Sequence, residues 1–339
     1  MILAADVGGT KADLALFALD GGRLVEIRHE RFPTAAADGL EPLIDRFLGA
    51  DRGRLTACAV GFAGPVRDGR VVGLNLPWTV EADALAARLG LPRVELLNDL
   101  EAVAYGLAGL DPAQTRLLHP GTPDPRGTVA VLAAGTGLGQ AYVVHGRDGS
   151  THACASEGGH ADFAPRNELE WELAQWIAAR HEGHASWERV LSGLGLGHIY
   201  DFLRDTGRCE EPAWLTAERA AGDPNAALSA ADGKAEIATR TLDIFASCLG
   251  SQAGNLALTV LATGGIYLAG GIPPRIAERL ADGRFVRAFR DKGRLAPLVE
   301  SIPVRIVLDK RIAVRGAATV AAGCAMLRPD ATAMPAPRS

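Results

Sequence analysis

The sequence predicts an α/β protein of two lobes, and three observations carry that prediction. Two glycine-rich turns, Asp6-Val7-Gly8-Gly9-Thr10 and Ala134-Gly135-Thr136-Gly137-Leu138-Gly139, each lead from one strand-like run into another. Runs with strand character alternate with runs of helical spacing along most of the chain. The length of 339 residues exceeds the size at which a single core usually stops growing.

Taken in order, residues 2–7 read as a strand, followed by 14–19 and, after Gly21-Gly22, by 24–32, an antiparallel meander. Leu40, Leu43, Ile44, Phe47 and Leu48 have helical spacing. Residues 56–62 form a buried strand that ends at Ala63-Gly64-Pro65, and 70–72 begin a short strand toward Asn75-Leu76-Pro77-Trp78. A helix over 80–89 precedes a strand over 94–97, which delivers Asn98-Asp99 to a helix over 100–107. Residues 127–153 repeat the meander, a weak internal repeat visible in pattern more than in letters. Helices follow over 168–181, 187–191, 196–203 and 235–258. A strand over 262–269 closes at Gly270-Gly271, helix restarts over 274–280, a strand spans 304–308 and a last helix 312–327. Residues 328–339 read as a frayed tail.

Composition narrows the function. Hydrophobic content of 48% and charged content of 22% are ordinary for a globular enzyme. A net charge of −5 gives no electrostatic footprint for nucleic acid or an anionic membrane. Five scattered cysteines have no zinc-ligand spacing and no disulfide framework. The longest apolar stretches, such as 317–327, are too short and Gly-interrupted to span a bilayer, and no leader is visible, so a reduced cytoplasmic setting is expected.

The glycine turns point to a reaction class. Successive backbone N–H groups in such turns form a nest for anions, and glycine lets the chain approach a phosphate closely. A P-loop or dinucleotide fingerprint runs from strand through glycines into helix, whereas both turns here run into a second strand. Two such hairpins suit a polyphosphate clamped from opposite sides, as in a nucleotide-dependent phosphotransferase.

The motifs Asp6-Val7-Gly8-Gly9-Thr10, Leu97-Asn98-Asp99, Ala134-Gly135-Thr136-Gly137-Leu138-Gly139, Glu157-Gly158-Gly159-His160, Glu188-Arg189-Val190-Leu191-Ser192-Gly193 and the run from Gly264 to Gly271 occur in the order seen in bacterial glucokinases. The chain resembles that family from Ile2 to about Leu327. The resemblance implies the actin-like ATPase (ribonuclease H-like) fold, two α/β lobes around a cleft. It places 1–108 with 311–327 in a small lobe on the sugar and phosphate side, and 109–310 in a large lobe on the nucleotide side. It also implies a homodimer. Lys11 and Asp13 stand where the glucokinase pattern more often has asparagine and arginine. Lys11 is similar to the broader family of sugar kinases and repressors of this fold, yet the cysteine-rich zinc motif of that family is missing after Glu157.

Transfer of a phosphoryl group to a primary alcohol needs a group that accepts the hydroxyl proton. Asp99, after a strand and before a helix, sits where open α/β sheets bind ligands, and it is the candidate base. An aspartate there is also an ordinary helix N-cap. Asn98 is expected on neighbouring sugar hydroxyls, with Asn75 a weaker sugar-side candidate beside a Trp78 that reads equally as core. Glu157 and His160 flank two glycines that let a loop close over a ligand, or they form a solvated turn. Glu188 reads equally as a first-turn carboxylate favoured by a helix dipole. By resemblance, Glu157, His160 and Glu188 all contact the hexose. Asp6 is placed to hold Mg²⁺, through water, unless it only shapes the turn. Gly8, Gly9, Thr10, Gly135, Thr136, Gly137 and Gly139 offer donors to the phosphates of ATP. Lys11 adds a charge that is usually just solvated after such a turn, and Gly270 and Gly271 leave bare backbone for adenine or ribose.

The reading is therefore ATP-dependent phosphorylation of glucose at its 6-hydroxyl, with ATP, Mg²⁺ and glucose as partners and closure of the lobes on glucose. The alternative is a kinase of fructose, mannose or an N-acetylated hexosamine. A sugar-responsive repressor would need a helix-turn-helix ahead of the strand at Ile2. A dehydrogenase would need helix rather than strand after Gly139. An actin-like filament or chaperone would have no use for the sugar cluster.

Overall fold

The computed structural model describes residues 1–73 and 76–326. Asn75 and the tail expected over 328–339 lie outside the described residues. The chain divides into two compact units, Met1–Leu110 with the C-terminal segment that starts at Arg311, and Asp111–Lys310.

In the first unit, β1 (Ile2–Val7), β2 (Lys11–Asp20) and β3 (Arg23–Pro33) form the meander, and α1 (Leu40–Leu48) follows. The apolar stripe of α1 buries Leu40, Leu43, Ile44, Phe47 and Leu48, each large aliphatic side chain contributing roughly 1.5–3 kcal/mol on leaving water. Next come β4 (Ala57–Phe62), a small three-stranded sheet of β5 (Val66–Arg67), β6 (Arg70–Val72) and β7 (Thr79–Glu81), then α2 (Ala82–Leu89), β8 (Glu95–Asn98) and α3 (Asp99–Gly106). The helix expected over 80–89 thus starts two residues later, because Val80 pairs with Val71 in that small sheet. The main sheet has the order β3-β2-β1-β4-β8, with β1, β4 and β8 parallel. Val7 is level with Phe62, and Phe62 with Asn98, so the chain leaves all three parallel strands at one edge.

The second unit repeats this plan. Its strands are β9 (Thr115–His119), β10 (Val129–Ala134), β11 (Leu138–His145) and β12 (Thr151–Ser156), followed by α4 (Glu168–Ala178), α5 (Gly193–Asp205), α6 (Ala213–Ala221), α7 (Pro224–Ala230) and α8 (Glu236–Thr259). Then come β13 (Gly265–Ala269), α9 (Ile272–Arg275), α10 (Ala277–Ala281), α11 (Arg284–Arg290), α12 (Ala296–Glu300) and β14 (Val304–Val307). The sheet order is β12-β11-β10-β13-β14-β9, with β10, β13 and β14 parallel. Meander plus two parallel strands is the same arrangement as in the first unit, so the repeat seen in the sequence pattern is a repeat of topology. Residues 187–191 make a single turn rather than a helix: the Leu191 N–H donates to the Trp187 carbonyl, but the Glu188 carbonyl then accepts from Ser192 Oγ and the Gly193 N–H leaves for the Gly135 carbonyl, so no ladder continues.

The last helix, α13 (Ile312–Met326), packs against β1, β4 and α3 of the first unit. Ala313, Ala317, Ala318 and Ala321 are buried there with Ala4, Ala59 and Ala102, so small side chains let the helices approach the sheet closely. The closest approach is at Gly316: a Cβ there would lie 2.6 Å from the Gly106 nitrogen and nearer still to the Ala102 carbonyl oxygen. This packing fixes α3, whose first residue is Asp99.

Candidate active site

In the first unit the candidates cluster where β1, β4 and β8 end. Asn98 is the N-cap of α3: its Oδ1 accepts the Leu100 N–H at 2.9 Å, its Nδ2 donates to the Gly64 carbonyl at 3.2 Å, and its own N–H donates to Glu101. The capping role considered for Asp99 therefore falls to Asn98, and Asp99 is the first helical residue, a position that suits a carboxylate. Asp99 Oδ1 lies 3.0 Å from the Leu100 nitrogen.

Asp6 faces this corner from the end of β1. Its carboxyl is pushed up to about 7, first by burial, then by the charges of Asp99 and Asp13, against the opposing pull of Lys11 and Arg31. Asp13 is buried and accepts from His29 Nε2 at 2.8 Å and from Arg31 at 2.9 and 3.0 Å. The Asp13 bond in turn raises the Arg31 pKa. His29 and Arg31 escape the sequence reading, yet the hairpin register sets Asp13 directly opposite Arg31, and an opposite-charge pair at facing positions is the signal that would have found it. The first glycine turn closes with Gly8 N–H donating to the Lys11 carbonyl at 2.9 Å, and Thr34 Oγ1 donates to the Gly9 carbonyl. Thr10 and Lys11 are exposed at its tip.

In the second unit the structure brings together three candidates and the second glycine turn. Glu188 Oε2 accepts the Leu138 N–H at 2.9 Å, just beyond Gly137, and a Cβ at Gly137 would come within 2.5 Å of that oxygen. The Glu188 N–H donates to Gly159, tying it to the loop that carries Glu157 and His160. His160 lies 3.9 Å from both Glu157 and Glu188, with Glu157 71% and His160 61% exposed in their side chains against 29% for Glu188. Two exposed side chains, Glu157 and His160, are thus backed by one held carboxylate, Glu188. Thr136 is exposed at the tip of its turn, and the Gly193 N–H donates to the Gly135 carbonyl at 2.8 Å. Gly270, with φ of +87°, follows β13 alongside Ala134 at the end of β10, and the Gly271 nitrogen lies near Gly135. The bare-backbone candidates and the glycine turn therefore adjoin. Trp78 is buried in the core of the first unit, as the packing alternative had it.

A dication would meet oxygen donors here. Burial first, and then the neighbouring charges of Asp99 and Asp13, raise the Asp6 pKa; a divalent cation would offset the charge part, and Mg²⁺ asks for only one or two carboxylates because it keeps its waters. Among the described residues no helix is long and apolar enough to cross a membrane.

Meander-plus-parallel sheets in both units, each with a glycine hairpin at the strand ends, are the architecture of sugar kinases of the actin-like ATPase fold. A ROK family glucokinase from Streptomyces griseus, solved in complex with glucose and AMPPNP, shares that fold with a TM-score of 0.61 at 22% identity, over 95% of this chain and 99% of that one. The glucokinase family model matches residues 3–324. A glucokinase from Synechocystis sp. is 38% identical over 349 residues, 94% of this chain and 97% of the relative. The crystal structure of a glucokinase from an Antarctic psychrotroph superposes with a TM-score of 0.82 at 31% identity, covering 95% of this chain and 98% of that one. The chain belongs to the glucokinase family.

Proposed function

We propose that this protein transfers the γ-phosphoryl group of ATP to the 6-hydroxyl of D-glucose, with Asp99 as the general base. The observation that carries the reading is the carboxylate of Asp99 at the strand end of β8, directly after Asn98 and facing the electrostatic field of Asp6. Family membership supplies the reaction. As the bond from the sugar oxygen to phosphorus forms and the bond to ADP breaks, Asp99 takes the hydroxyl proton. Asn98 orients the neighbouring hydroxyls, and Glu157, His160 and Glu188 bind the hexose ring through the directional bonds that carboxylates and imidazole offer. The Gly8–Lys11 and Gly135–Gly139 turns hold phosphates through backbone N–H groups, and Gly270 with Gly271 receives the nucleoside. Asp6 holds Mg²⁺ through water, and the ion when bound neutralises phosphate charge.

In this reading the first unit carries the base and the second the nucleoside site, and the protein works as a cytoplasmic homodimer. A coupled assay with purified protein tests the reaction across glucose, fructose, mannose and N-acetylglucosamine, with ATP, ADP and polyphosphate as donors. Glucose with ATP should show the highest kcat/KM, and preference for another sugar would overturn the substrate assignment. Light scattering after size-exclusion chromatography should return the mass of two chains.

A further inference from the structure

Away from the residues assigned above, the second unit has a cavity of about 350 Å³ lined by Arg166, Ser247, Arg284, Arg287, Ala288 and Asp291. Two glycines of α8 build it. A Cβ at Gly250 would run into the Phe285 carbonyl, and one at Gly254 would come within 2.5 Å of the Phe289 carbonyl and of Lys292 Cε. The lack of side chains at both positions lets α11 and the loop after it lie against α8, which brings Arg284, Arg287 and Lys292 near Arg166.

These cations differ in what neutralises them. Arg166 is held by Glu170 and donates to Ser247 Oγ at 2.8 Å, which aims the guanidinium while leaving Nη1 without a hydrogen bond among the described residues. Arg284 is paired with Asp282 and, at 3.1 Å, with Asp243. Arg287 is exposed and pairs with no carboxylate among the described residues. Lys292, next to the wall, is half-buried and makes no salt bridge among the described residues; burial, then the charge of Arg166, pull its pKa down against the opposing charge of Asp291. Asp291 is the one carboxylate in the wall. The wall thus presents three guanidiniums, one of them aimed by Glu170 and Ser247 and one exposed without an ion-pair partner among the described residues, over a single carboxylate, an arrangement that suits an anion. Arginine forks match phosphate oxygens in bidentate fashion. The volume exceeds that of a bare phosphate and falls in the range of small-ligand pockets.

We propose that this cavity is a second binding site, for the dianionic phosphate group of a small phosphomonoester. The test titrates inorganic phosphate, and separately glucose 6-phosphate, into the wild type and Arg287→Ala, each saturated with glucose and a non-hydrolysable ATP analogue to fill the site of the proposed reaction, at ionic strength fixed with NaCl, by isothermal titration calorimetry. Because the Arg287 side chain is exposed and has no ion-pair partner, the variant should keep the wild-type melting temperature without phosphate. Wild type should bind saturably, and Arg287→Ala should bind at least about tenfold more weakly, the loss of one charge-assisted contact. Equal loss for both ligands assigns the phosphate group alone; a larger loss for glucose 6-phosphate assigns a sugar phosphate. Binding that is not saturable, or that Arg287→Ala leaves unchanged for both ligands, overturns the proposal.

Discussion

Replacing Asp6 with asparagine should make the metal-free, ligand-free protein more stable above neutral pH. The Asp6 carboxyl has a pKa of about 7 against an ordinary value of 3.8, so the folded state holds its proton where the unfolded chain releases it. The sign follows from linkage: the folded protein binds more protons between those values, so this group's contribution to stability falls as pH rises through that window and is lowest above 7. At 1.36 kcal/mol per unit the shift has a ceiling of about 4 kcal/mol. Asp6 keeps some solvent-exposed surface, which screens the interaction, so about 1–3 kcal/mol is the expected gain for Asp6→Asn at pH 8. Near pH 4.5 the two proteins should differ little, since asparagine mimics the protonated acid. Urea unfolding in EDTA at pH 4.5, 6 and 8 measures the difference, with titrations remote from Asp6 cancelling between the two proteins and the couplings to Asp99 and Asp13 included in it. Parallel pH dependence of wild type and variant would refute the reasoning, as would a variant less stable at pH 8. The same substitution should depress turnover with MgATP, since the carboxylate proposed to hold the ion's waters is gone.

Glu157→Gln should raise the KM for glucose more than that for ATP, and initial-rate kinetics varying each substrate in turn decides it; equal losses would contradict a sugar-side role. Gly316→Ala should destabilise by about 1–3 kcal/mol or more, because the added methyl is driven into the Ala102 carbonyl between α13 and α3. Denaturant unfolding reads that loss, and an unchanged midpoint would contradict the close approach of the two helices.

Much of the fold was legible where one local rule decides the conformation. The strand over 2–7 and the helix over 40–48 appear with the bounds that apolar patterning predicts, because both bury a full face within their own unit. The pattern failed where a distant partner decides. Residues 187–191 carry helical spacing but make only one turn, which ends because the Gly193 N–H goes to the distant Gly135 carbonyl. The strand Thr115–His119 has no alternation to read and exists through pairing with β14, far along the chain. At the site, Asp99 and the glycine turns were visible because function leaves a local signature on them. Asp13 with His29 and Arg31 was not, since only the hairpin register makes neighbours of residues that far apart.

The account rests on Asp99 accepting a proton from the sugar hydroxyl. Steady-state kinetics of Asp99→Asn with glucose and MgATP tests this directly, because the amide keeps the shape and loses the basicity. Turnover should fall by at least about 10², the lower end for loss of a general base, with the KM for glucose changed far less. A variant that turns over at close to the wild-type rate would contradict the account.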